Sequence, residues 1–380
     1  MHKLPRFLYL LSASNLLIGT GAFCLTGILQ PVATSLGATV PAVGQTMTAY
    51  AIAVAVLAPL LLVLTGRWAR RDALLLALVI FASGLLMCGL ANDLTTLLLG
   101  RVLMGAGGMF TPIAAGMAVA AVAPAHQGKA LSMTFLGMSL SYVIGLPLCT
   151  WLGLHYGWRT PVFGLAGLVG LMLCAVTLLV PRRGDAPGAG FSGLGTALGN
   201  PMALRSLALT LLQFSAIFTV FSYTGPVLQA LNPMDAGTLS GTLVVFGLAG
   251  VAGTLLGGWA NDRFGALATL RVQLAVLTAM MLLVPLTHGH YAWMVLVFVL
   301  WGTAGFGMMA PNQTRLARVS ARQAPMLFSL NTSMLYFGTA AGAAVGGVAS
   351  SQVGFGALAW IGAGFAALAW LTFLPHKGAG

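Results

Sequence analysis

Five aspartates, six histidines and four cysteines are the chain's whole supply of carboxylate, imidazole and thiol, because none of its 380 residues is glutamate. None of these sets has a catalytic or metal-ligating arrangement. Asp72, Asp93, Asp185, Asp235 and Asp262 map to loops or to the ends of apolar runs, so no paired carboxylates stand ready for general acid–base work. His2, His126, His155, His288, His290 and His376 fall in similar places, with no HExxH pair. Cys24, Cys88, Cys149 and Cys174 lie inside apolar runs without CxxC spacing and read as small apolar fillers. A nucleophile elbow and a GxxxxGK[ST] phosphate loop are also missing. The residues therefore argue against an enzyme, a metal site and a bound cofactor.

Arg101 is the ionisable residue that falls well within an apolar run, about six residues from its start, or roughly 9 Å deep at 1.5 Å per residue. Such a charge costs about 3 kcal/mol on insertion scales, so it must face the protein interior and find acceptors. Two readings stand: a residue of a solute cavity, or a structural arginine tied to backbone carbonyls. Asn15, Tyr142, Gln213, Tyr223, Trp301, Asn331 and Tyr336 are the other candidate solute contacts. Each could instead make an interhelical hydrogen bond or anchor the chain at a membrane interface. With Arg101 and no midspan carboxylate, a neutral or anionic solute is expected over an organic cation.

The elements that must position these residues are legible from hydropathy. Of the residues, 59% are hydrophobic and 6% charged, against about 25% charged in a soluble domain. Twelve runs are long enough to span a bilayer, which takes about 20 apolar residues: 8–30, 40–64, 73–91, 97–122, 131–153, 161–180, 206–230, 239–260, 270–287, 292–312, 326–349 and 356–374. The first begins after Lys3 and Arg6 and is too long for a cleaved leader. A polar stretch at 181–205, with Pro181, Arg182, Arg183 and Asp185, marks a linker between an N-terminal six-helix bundle (1–180) and a C-terminal one (206–380). The net charge of +12 could suggest nucleic acid, but no basic face interleaved with aromatics is present. If the chain alternates from a cytoplasmic N-terminus, every Lys and Arg except Arg101 and Arg159 falls on the cytoplasmic side. Both termini are then cytoplasmic.

The halves echo one another. Leu64-Thr65-Gly66-Arg67-Trp68-Ala69-Arg70-Arg71 follows the second span, and Ala260-Asn261-Asp262-Arg263-Phe264-Gly265 follows the eighth. Paired repeats of six helices are a transporter architecture, with the solute site between the repeats. Gly338, Gly342 and Gly346, spaced by four, make a smooth packing stripe. Gly145 and Pro147 allow the fifth span to bend. An aspartate at Asp262 can face a helix N-terminus and latch the cytoplasmic side shut, or be a solvated loop charge.

These residues resemble the major facilitator superfamily, in particular its twelve-span drug:proton antiporter branch of arabinose efflux permease-like proteins. Gly257-Gly258-Trp259-Ala260-Asn261-Asp262-Arg263-Phe264-Gly265 is similar to the second copy of the family's cytoplasmic loop motif, and Arg101-Val102-Leu103-Met104-Gly105-Ala106-Gly107-Gly108 to its fourth-helix arginine motif. Gly145-Leu146-Pro147-Leu148-Cys149 is similar to the antiporter motif of the fifth helix. Gly27-Ile28-Leu29-Gln30-Pro31, Gly157-Trp158-Arg159 and Ser329-Leu330-Asn331 also fit. The resemblance implies an all-α membrane protein with the major facilitator fold: twelve transmembrane helices in two pseudo-symmetric six-helix bundles. It further implies alternating access, outward export and exchange for protons by a monomer in the bacterial inner membrane. Arg67, Arg71, Asp262, Arg263, Gly145 and Pro147 become gating residues on this reading. Three positions depart from the pattern: Gly66 replaces the aspartate of the first loop motif, Cys149 a glycine, and Ala22 a glutamate found in many relatives. An uncoupled facilitator, an importer of the same fold, and a membrane sensor that moves nothing are the rival readings.

Overall fold

A computed structural model describes residues 5–123, 126–181, 199–319 and 324–374. The secondary structure of these residues is helical. In the first half, α1 (Phe7–Phe23) and the short α2 (Leu29–Leu36) form the first span. They are followed by α3 (Val40–Leu64), α4 (Arg70–Leu90), α5 (Leu94–Ala120), α6 (Gln127–Tyr156) and α7 (Arg159–Leu179). In the second half, α8 (Pro201–Phe221) and the short α9 (Thr224–Leu231) form the first span. Then come α10 (Ala236–Phe264), α11 (Ala266–Thr287), α12 (Tyr291–Val319), α13 (Ala324–Val353) and α14 (Phe355–Phe373). Among the described residues, ten of these helices are long and apolar enough to cross a membrane, and α1 is a shorter apolar helix. Most of the expected linker, 182–198, lies outside the described residues.

The helices are apolar nearly all round because both lipid and neighbouring helices are apolar, and the helix satisfies its backbone internally. Polar residues set their ends. Thr39 accepts a hydrogen bond from the Ala42 amide at the start of α3, and Asn200 accepts from Met202 and Ala203 ahead of α8. Asp93 and Asp235 cap α5 and α10 through Thr96 and Thr238, whose backbone N–H groups hold both carboxyls below the usual aspartate range. Glycines at positive φ, Gly157 (89°) and Gly354 (76°), turn the chain into α7 and α14 at matching places in the two halves.

Contacts gather the chain into two compact units, one of Met1–Gly190 with Asp235–Gly247, the other of Phe191–Met234 with Leu248–Gly380. Their internal plans match. In the first, α1 packs on α6 and α7, and α4 on α5 and α7; in the second, α8 packs on α13 and α14, and α11 on α12 and α14. Each first span is broken in the same way. Ile28 (φ −127°, ψ 28°) and Tyr223 (φ −119°, ψ 25°) leave the helical region just before an eight-residue helix. The sequence predicts a single rod over 8–30; hydropathy registers apolar side chains but not a change of backbone dihedral, so the break at 24–28 is invisible to it. The Gly338, Gly342 and Gly346 stripe lies along α8, facing the carbonyls of Leu211, Ser215 and Thr219, one α8 turn per glycine.

Candidate functional site

The break in α1 is where the first unit concentrates its unusual residues. Ending α1 at Phe23 leaves its last carbonyls without helical partners. Arg101 of α5 supplies donors: Nη1 to the Gly21 carbonyl at 2.8 Å, Nη2 to that of Ala22, and Nε to that of Thr46 on α3 at 3.4 Å. Its guanidinium carbon lies 4.9 Å from the centre of the Tyr50 ring, and the side chain is buried. The charge is thus held by the negative end of a helix dipole instead of a carboxylate. Tyr142 stacks obliquely on Phe23, ring centres 4.8 Å apart, at the same break. Tyr142 sits in a π-helical turn, Ser141–Gly145, that interrupts α6. Pro147 follows within two residues and cannot donate a backbone hydrogen bond, which favours such a bulge. Gly145 lets this turn press against Thr20 of α1, where a Cβ would collide with the threonine side chain.

Asn15 stands apart from that group. Its Nδ2 donates to the Thr134 carbonyl at 3.0 Å and its Oδ1 accepts from the Thr111 hydroxyl at 2.8 Å, tying α1 to α5 and α6. In the second unit, Gln213 donates to the Gly305 carbonyl at 2.7 Å, and the Tyr223 hydroxyl to that of Ala343 at 2.8 Å. Asn331 accepts from Thr210 at 2.6 Å within a cluster shared with Asn312, which donates to the Ser206 carbonyl at 2.9 Å. Trp301 is buried edge-on against Phe298, ring centres 5.1 Å apart. Tyr336 is half-buried, and among the described residues its hydroxyl makes no hydrogen bond. The eight candidates therefore form several small groups. Five of them, Asn15, Arg101, Gln213, Tyr223 and Asn331, join helices within one unit, and Tyr336 does not.

Sequence reasoning passed over Asn312, Ser206 and Thr339. Among the described residues, the Asn312 Oδ1 and the Ser206 and Thr339 hydroxyls are buried with no hydrogen-bond partner. The available signal was a polar residue inside or at the end of an apolar run, the same signal that singled out Asn331. Of the gating candidates, Arg67 and Arg263 are exposed, and Arg71 reaches the Thr177 carbonyl at 3.2 Å. Asp262 is exposed, with the Asn261 amide donating to it at 3.2 Å. Among the described residues no group of three or more His, Cys, Asp or Glu could hold a metal ion.

Comparison with known proteins places this geometry. Residues 11–324 match the family model described as Major Facilitator Superfamily. The chain is 32% identical over 348 residues, 91% of this chain and 89% of the other, to the "Inner membrane transport protein YdhP" of Escherichia coli (strain K12). It is 28% identical over 359 residues, 94% and 92% of the two chains, to the "Uncharacterized MFS-type transporter YbcL" of Bacillus subtilis (strain 168). Among solved structures it superposes on a D-xylose-proton symporter with a TM-score of 0.80, 15% identity and 98% of each chain covered. A bacterial homolog to the human lysosomal transporter Spinster follows the same fold, with a TM-score of 0.76, 16% identity and 96% of each chain covered. With ten helices of membrane-crossing length among the described residues, two units of one internal plan and relatives that are transporters rather than enzymes, the chain belongs to the major facilitator superfamily and is a membrane transporter.

Proposed function

We propose that the protein is a secondary carrier of the drug:proton antiporter branch, exporting a small neutral or anionic solute from the cytoplasm by alternating access. It works as a monomer in a bacterial inner membrane, with both termini cytoplasmic. Arg101 carries the charge preference: a buried cation with no carboxylate beside it makes the surrounding helices hostile to an organic cation. The repeated six-helix plan supports alternating access, which needs two units able to tilt as bodies. The motif resemblance around Gly145 and Pro147 supports export in exchange for protons, and the π-helical turn there supplies a point of flexure.

One observation favours a second reading, an uncoupled facilitator. Asp72 and Asp262 are the carboxylates within the described helices, and each lies within one turn of a helix end. A midspan acid that could carry the proton is missing. Reconstitution in liposomes decides between the two, after a thermal-shift screen of sugars, nucleosides, amphenicol-like drugs and organic acids has found a solute. Antiport predicts that an inward-directed proton gradient of about one pH unit drives export against about a tenfold solute ratio, equivalent to about 1.4 kcal/mol for each proton exchanged. A rate indifferent to the gradient would replace antiport with facilitated diffusion.

Asp262 is proposed to latch the cytoplasmic side through a helix N-terminus, with Arg263, Arg67 and Arg71 as further gating residues. Asp262→Asn should increase labelling of single cysteines introduced along the cytoplasmic side by a membrane-impermeant reagent. Labelling equal to that of the parent would remove the latch.

A further inference from the structure

The two units treat one equivalent corner differently. In the first, Arg71 at the start of α4 donates to the Thr177 carbonyl near the end of α7, and Asp72 lies 3.8 Å from it. In the second, the corner between the start of α11 and the end of α14 holds three arginines. The guanidinium carbons of Arg271 and Arg315 lie 5.9 and 5.6 Å from the centre of the Phe373 ring. Arg205 donates to the Leu374 carbonyl at 2.8 Å, and Arg315 Nη2 to that of Thr372 at 3.5 Å. Among the described residues no carboxylate pairs with any of the three. Arg315 is only 8% exposed, and its Nη1 is buried with no hydrogen-bond partner among the described residues.

Charge counting shows that this corner is not closed. The end of α14 offers roughly half a negative charge, and three guanidinium groups converge on it. Each neighbour also repels Arg315. Orientation in the membrane accounts for an exposed arginine near the start of a helix, such as Arg271. It does not account for Arg315, a buried cation with one donor unpartnered among the described residues. Buried charges are ordinarily paired, and guanidinium groups pair best with the planar or tetrahedral oxygens of carboxylate and phosphate. A compact multivalent anion is the chemistry that answers several converging guanidiniums.

We infer that Arg205, Arg271 and Arg315, gathered round Phe373, bind a phosphate-bearing anion, either a phospholipid headgroup or free phosphate. This site is separate from solute transport and stands whether or not the carrier reading holds. The test uses the full chain in two arms. One compares nanodiscs of phosphatidylcholine alone with nanodiscs that also contain phosphatidylglycerol; the other compares inorganic phosphate with chloride at equal ionic strength in detergent. A rise in Tm of about 3 °C or more in either arm is expected. A response to phosphatidylglycerol names the headgroup as the source, and a response to phosphate alone names the free anion. Arg271→Gln alters an exposed side chain and leaves the buried packing intact. It should cut the apparent affinity about tenfold, and Arg205→Gln likewise, by removing one charge-assisted contact. Arg315→Gln should abolish the response; should that variant fail to fold, the other two decide. No shift in either arm, or a shift undiminished in both Arg271→Gln and Arg205→Gln, would overturn the site.

Discussion

At the scale of single residues, arginine in this protein is answered mainly by backbone. Arg101 caps α1 through the Gly21 and Ala22 carbonyls, and Arg159 caps α4 through those of Gly89 and Ala91. Arg71 reaches the last turn of α7, and Arg205 and Arg315 reach the end of α14. A chain with 17 Lys and Arg but five acidic residues has few carboxylates to offer. Helix C-termini are the remaining source of negative potential. Arg101→Met should therefore destabilise the first unit by about 2–4 kcal/mol, because the Gly21, Ala22 and Thr46 carbonyls lose their donors inside the protein. Arg101→Lys should recover less than half of that, since a point charge cannot reach three carbonyls in a fixed fork. Thermal unfolding in detergent measures both; equal Tm for Arg101→Met and the parent would show that the carbonyl contacts contribute nothing. The sequence identified Arg101 as needing acceptors. It could not name them, because Gly21 and Ala22 become acceptors only where α1 breaks.

At the scale of elements, small residues set how closely helices approach. The Gly338, Gly342 and Gly346 stripe was legible as a packing face from its spacing alone. Its partner was not, since i, i+4 spacing gives a direction on a helix but no address across the fold. The structure supplies that address as the carbonyl row of α8, with a Cβ at Gly346 falling 2.6 Å from the Thr219 oxygen. Gly342→Val should push α8 and α13 apart and cost about 1–3 kcal/mol through overpacking. Gly364→Val on α14, with open space around its Cα, should change Tm little. Similar Tm values for the two variants would show that the stripe is not a tight contact. Span limits shifted for a related reason. The tenth rod was expected over 292–312, yet α12 continues to Val319, with Arg315 buried in a turn expected to be loop. Hydropathy ends a span at the first polar residues, whereas the backbone continues wherever its hydrogen bonds do.

At the scale of the whole molecule, duplication is the organising fact. The broken first spans at Ile28 and Tyr223 share backbone angles to within about 10°, although Ile and Tyr have little in common as side chains. The two copies differ where charge is concerned: Arg71 has Asp72 beside it, and the matching corner of the second unit has three arginines and, among the described residues, no paired acid. Such asymmetry is where the copies can take separate roles, one flexing through the π-helical turn of α6 and the other holding an anion. The liposome gradient and Asp262→Asn labelling experiments belong to this scale, because both read the motion of units rather than the strength of a contact.

Hydrophobic run length fixed the class of this protein without any coordinates. A bilayer demands about 20 apolar residues per crossing and forbids unsatisfied backbone, so twelve such runs and few charges leave almost no alternative to a helical bundle. The loop echo around Arg67 and Arg263 likewise disclosed the duplication. The tertiary structure alone decided how each polar side chain is used. Asn15, Gln213, Asn331 and Tyr336 all read as polar groups inside apolar runs, yet the first three join helices by hydrogen bonds and the last does not. Whether a buried polar atom is satisfied depends on atoms a hundred residues away in the chain, and only packing brings those within 3 Å of each other.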